Sequence, residues 1–171
     1  MISILFSALV LLPQPLADWR VKVSKSQEIS ATFTQEVVQD LFPDSGDRAT
    51  GSLRARRPAL MVWTYESPQK QVLTVNGKEI TTERGGSKTT TSHQGPLTLE
   101  QAFGFLWGTP DASLFKTEEL KGGRVRILPL VETTFDSIEV SFKKGWVHQI
   151  DVKDKLGGQS RLIFSDWHLK D

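Results

Sequence analysis

The residues able to do acid–base, nucleophilic or metal chemistry are few and scattered. His93, His148 and His168 have no metal-ligand spacing, and no H-E-x-x-H pattern occurs. Cysteine is absent, which excludes disulfides, Cys-ligated zinc and thiol catalysis. Gly85-Gly86-Ser87-Lys88-Thr89 falls short of a phosphate loop, because that pattern needs glycine where this chain has Thr82 and Ser87. No G-x-S-x-G elbow is present. Glu118-Glu119 reads as a solvated pair. No catalytic constellation emerges, so the expected activity is binding without catalysis, and neither metal nor cofactor is expected.

One charge stands out by its position. In the stretch SLRARRPALMVWTYESP, from Ser52 to Pro68, strand alternation puts Leu53, Ala55 and Arg57 on one face. An inward guanidinium is costly unless its donors are satisfied. The carbonyls at a helix C-terminus, with their partial negative charge, are suitable acceptors. A carboxylate at the rim of the sheet is the alternative. Past the Pro58 break, Met61, Trp63 and Tyr65 again share a face.

The elements that must hold these residues are mostly strands. ISATFTQEVV alternates, with Ile29, Ala31, Phe33 and Val37 on the same side as Gln35. Asn76-Gly77 is a strong hairpin signal. Residues 84–96 are polar and Gly-rich and read as a loop holding at most a weak strand. SIEVSF and WVHQIDV alternate too, the second placing Trp146, His148, Ile150 and Val152 together. Between these runs the period changes. Thr98 and Gln101 form a capping-box pattern, and Leu99, Ala102, Phe103, Leu106 and Trp107 make one helical stripe ending near Gly108 and Pro110. A shorter, weaker helix is expected after Asp18. Each bulky residue of these faces also suits an ordinary core.

The expected fold is therefore mainly β, an open, incomplete antiparallel β-barrel covered by helices, because an amphipathic helix must bury its stripe on the sheet. Such shapes enclose ligand cavities. A chain of 171 residues with a net charge of +1 fits one domain and has no general pull toward nucleic acid. MISILFSALVLLPQPLA carries no charge and its apolar run is too short to span a bilayer, which needs about 20 residues. It reads as a secretory leader, residues 1–17, followed by a single domain over 18–171.

ISATFTQ, GSLRARRPALMVWTYESP, VLTVNGKEI and SIEVSFKKGWVHQIDVKDKLGGQSRLIFS occur in an order and spacing that resembles the LolA family of periplasmic lipoprotein carriers. The resemblance covers roughly residues 28–82 and 125–166 and is specific as a combination. It implies a half-open barrel with helices over an apolar cavity that shields the acyl chains of lipoproteins. It implies cargo taken from an inner-membrane ABC-type release complex and passed to an outer-membrane receptor, by a monomer in the periplasm. The Arg before the Pro, here Arg57, would latch the lid helix through its backbone. Leu53, Met61, Trp63, Tyr65, Leu99, Phe103, Leu106 and Trp107 would line the acyl-chain cavity. Two other readings stay open: a LolA-like periplasmic sensor or regulatory module, and a carrier of another amphiphile such as a glycolipid.

Overall fold

The computed structural model describes residues 12–38, 48–92, 94–107 and 113–171. Helix α1 spans Gln14–Val23, and strands β1 (Glu28–Val38), β2 (Arg48–Arg56), β3 (Leu60–Ser67), β4 (Gln71–Asn76), β5 (Glu79–Arg84) and β6 (Ser87–Ser92) follow. Two short helical turns, α2 (Leu99–Ala102) and α3 (Gly104–Trp107), lead to β7 (Phe115–Leu120), β8 (Arg124–Pro129), β9 (Phe135–Lys143), β10 (Trp146–Asp154) and β11 (Gln159–Lys170).

Every strand meets its neighbour antiparallel, in the order β6-β5-β4-β3-β2-β1-β11-β10-β9-β8-β7. Two meanders are thus joined back to back through the first and last strands. β6 and β7 remain as unpaired edges, so the sheet is not closed, consistent with an open barrel. The alternating residues Ile29, Ala31, Phe33, Leu53, Ala55, Met61 and Trp63 are all buried on the inner face. Gly51 is required where β2 passes β3: a Cβ there would lie 2.1 Å from the Thr64 carbonyl oxygen and 2.9 Å from the Phe33 ring.

Four expectations need correcting in detail. Within the loop expected over residues 84–96, the weak strand allowed for there is a regular strand over residues 87–92: all six side chains are exposed, so no apolar period marks it. Its turn is built on Gly85 and Gly86, at φ 56° and 80°, the left-handed region that glycine adopts freely. The helix expected over 98–107 is two four-residue turns. Its capping box is present, with Thr98 and Gln101 satisfying each other's backbone N–H. Helical hydrogen bonding then breaks beside Gly104, a residue about 1 kcal/mol less favourable than alanine in a helix. The helix expected after Asp18 starts earlier, at Gln14, and Leu16 is fully buried. The expected leader lies largely in residues 1–11, outside the described residues.

The fourth concerns two bulges. β10 shifts register against β9 between Val147 and Gln149. His148 therefore does not share the inner face with Ile150; Val147 is the buried residue. β11 shifts against β1 opposite Ser30–Thr32, with Asp166 at φ 52°. That extra residue brings Trp167 onto the same side as Phe164, and the Trp167 indole Nε1 donates to the Val147 carbonyl at 2.7 Å. The two bulges lie on neighbouring strands and re-aim side chains toward the interior.

Candidate functional site

Arg57 leaves the end of β2 and points into the cover. Its Nε donates to the Ser26 carbonyl at 2.9 Å and its Nη2 to the Val23 carbonyl at 3.0 Å. Val23 is the last residue of α1, where carbonyls lack helical partners and carry partial negative charge, and Ser26 lies in the turn just beyond it. The hydrogen-bonded helix is thus α1 and not the 98–107 segment. Arg57 reaches that segment differently: its guanidinium stands 4.4 Å from the centroid of the Trp107 ring, a cation–π contact. The carboxylate alternative finds no support, since the ion pairs among the described residues use other cations. Burial, and then the nearby Arg57 charge, hold the Arg20 guanidinium below its ordinary pKa.

Trp19 makes a second tie between the helical segments. It is 1% exposed, and its indole Nε1 donates to the Leu106 carbonyl at 2.9 Å. Its ring meets Trp167 edge-on at 5.0 Å. So α1 and α3 are joined by Trp19 on one side and bridged by Arg57 on the other. Nothing in the sequence of α1 other than one Trp amid polar residues hints at this.

Beneath these ties lies a pocket with apolar lining from both meanders and both helical segments. Leu53, Met61, Phe103, Leu106 and Trp107, all expected there, line it. Trp63 flanks it, with its ring 4.7 Å from Phe103 and 5.4 Å from Phe33. Leu99 is half-buried at the edge of the same cluster. Tyr65 packs on the inner face beyond the pocket, its ring edge-on to Phe33 at 5.3 Å and its hydroxyl donating to Gln35 Oε1 at 3.2 Å, and it borders a different groove. Trp19, Ile29, Ala55, Val147, Ile150, Phe164 and Trp167 complete the lining. Ile29 and Ala55 lie in the alternation already visible in the sequence, whereas Val147 and Trp167 arrive by way of the bulges.

The interior is tightly filled, with a free volume of about 20 Å³. A single water needs about 10–15 Å³ on this kind of measure, so no hydrocarbon chain fits without movement. Among the described residues, the apolar cavity expected for acyl chains is not open at this pocket as the side chains are packed. A wider hollow, about 670 Å³, lies among the ends of β3, β4 and β5 and the β5–β6 turn. It is open, and Glu66, Lys70, Glu83, Arg84 and Lys88 border it.

An open antiparallel sheet, with apolar side chains converging beneath helical segments tied by an arginine and a tryptophan, places the chain among incomplete β-barrels with a helical cover. The chain belongs to the LolA family: the family described as outer membrane lipoprotein carrier protein LolA matches residues 24–171. An outer-membrane lipoprotein carrier protein of Pseudomonas putida is 27% identical over 150 positions, covering 84% of this chain and 71% of that protein. One of Nitrosomonas europaea is 27% identical over 186 positions, covering 97% and 86%. The crystal structure of a LolA superfamily protein from Nitrosomonas europaea shares the fold, with a TM-score of 0.51 at 11% identity and 94% of each chain covered.

Proposed function

We propose that this protein carries lipoproteins through the periplasm, sheltering their acyl chains between the inner face of the sheet and the α1–α3 cover. In this reading it accepts cargo from an inner-membrane ABC-type release complex and delivers it to an outer-membrane receptor, as a monomer. Family membership supports the lipoprotein cargo. No helix among the described residues is long and apolar enough to cross a membrane, which suits a shuttle.

The observation that carries the proposal is the apolar interior shut by Arg57 and Trp19. Each buried methylene is worth about 0.8 kcal/mol, so one long acyl chain brings on the order of 10 kcal/mol. Hydrogen bonds to a charged group contribute about 1.5–3 kcal/mol each, and a cation–π contact about 0.5–2 kcal/mol. The closing contacts are strong enough to keep the interior shut against water and weak enough to yield to a chain. Because the interior holds so little free volume, α2 and α3 must move to admit cargo.

The test is whether the purified protein extracts an acylated lipoprotein from membranes that contain the release complex, as a stable water-soluble pair. Cargo left in the membrane fraction with active release complex and ATP would end the proposal.

A further inference from the structure

Three lysines gather around one turn of the sheet. The β9–β10 connection bends at Lys144-Gly145, with φ of 52° and 73°, and Lys143 and Lys144 are both exposed on it. Lys22 reaches the same place from α1: its Nζ stands 4.2 Å from the centroid of the Trp146 ring. Among the described residues none of the three takes part in an ion pair. Like charges held together repel, so the cluster gains from an anion brought by a partner. A groove of about 360 Å³ opens beside the turn, lined by Lys143, Lys144, Trp146 and His148. Asp166 is the one carboxylate in its lining, and the Thr32 hydroxyl donates to it at 2.9 Å.

The groove shares a wall with the interior. Val147, Phe164 and Trp167 line both the groove and the apolar pocket beneath the cover. Trp146 stacks on Trp167 with the ring planes 18° apart, and meets the buried Trp19 edge-on at 6.1 Å. An aromatic wall thus runs inward from a surface rimmed by lysine. Half-buried tryptophan beside lysine suits a membrane interface: indoles settle at headgroup level, and ammonium groups meet lipid phosphates. An acidic protein surface would answer the lysines and leave the aromatic wall without a role.

We infer that the groove at the β9–β10 turn, with Lys22, Lys143, Lys144 and Trp146, is a docking surface for an anionic phospholipid membrane. Docking there sets the wall shared with the interior against the headgroups. The contact is peripheral and electrostatic, so it weakens as salt rises.

The experiment floats the purified protein with vesicles of phosphatidylcholine alone, or of phosphatidylcholine and phosphatidylglycerol in equal parts. The vesicles hold no lipoprotein and no release complex, so the outcome bears on this surface and not on the cargo. Each lysine near an anionic surface is worth about five-fold in partitioning, so three give the anionic vesicles a preference of about a hundred-fold. Lys143→Gln and Lys144→Gln should each lower binding to anionic vesicles about five-fold, and together about 25-fold. Both side chains are exposed, so neither change threatens the fold. Lys153→Gln with Lys155→Gln removes the same charge from the far end of β10 and should leave binding unchanged. Equal binding to the two vesicles, or binding to neither, overturns the inference. So does an equal loss from the Lys153 and Lys155 changes, which would mean attraction by net charge alone. Lysine dependence seen only with the release complex, and not with protein-free vesicles, also overturns it and assigns the patch to a protein partner.

Discussion

Arg57 engages two helical segments at once, and its contacts differ in kind. Replacing it by leucine removes hydrogen bonds to the Val23 and Ser26 carbonyls and the face-on contact with Trp107. The expected result is a loss of about 3–6 kcal/mol in stability, since two hydrogen bonds to a charged group, worth about 1.5–3 kcal/mol each, are removed. Denaturant unfolding reads that loss, and hydrogen exchange should show faster opening of the amides in residues 99–107. Lipoprotein uptake and handover, assayed separately, report on the latch: wild-type behaviour in both would remove the gating role. Arg57→Lys keeps the charge but loses the planar fork that reaches two carbonyls, so it should fall between the two. By contrast Glu139, which receives Arg124 at 3.1 Å and Arg126 at 2.8 Å on the outer side, should matter little. Glu139→Gln is expected to change stability by no more than about 1 kcal/mol, as partly exposed ion pairs do.

The break between α2 and α3 turns a weakness in local structure into a capacity to move. Gly104 has open space where a Cβ would stand, so alanine fits there without a clash. Gly104→Ala should stabilise the cover by about 0.5–1 kcal/mol through helix propensity. If the cover must open for cargo, the same change should slow lipid uptake, measurable by stopped-flow tryptophan emission; unchanged uptake would show that this turn is not the moving part. Gly51 is the opposite case. Alanine there drives a Cβ into the Thr64 backbone oxygen, which belongs to a paired strand and cannot give way. Gly51→Ala should therefore cost about 3 kcal/mol, the upper range for overpacking, and be seen as a lower denaturation midpoint. The β10 and β11 bulges act at this scale too, since they bring Val147 and Trp167 inward.

At the scale of the molecule, opening the interior must expose aromatic surface from both meanders. Trp19, Trp107 and Trp167 line the pocket and Trp63 flanks it, so a bound acyl chain should change the environment of most of the chain's five tryptophans. A lipopeptide that binds should shift tryptophan emission and raise the unfolding midpoint. At one hundred times its dissociation constant the added stability is about 2.7 kcal/mol. The antiparallel sheet, its inward alternating faces, the capping box at Thr98 and the inward Arg57 were legible in the sequence. These follow from local rules: a period of two, a short capping pattern, and the place of a charge within an alternating run. Three features were decided only by tertiary structure. The bulges change which residues face inward, and depend on pairing with distant strands. Arg57 meets α1 because the chain turns there, over thirty residues earlier, and brings the Val23 and Ser26 carbonyls within reach. The near-absence of free space beneath α2 and α3 is a property of how all the side chains interlock, since volume is filled jointly and no single stretch of sequence carries it.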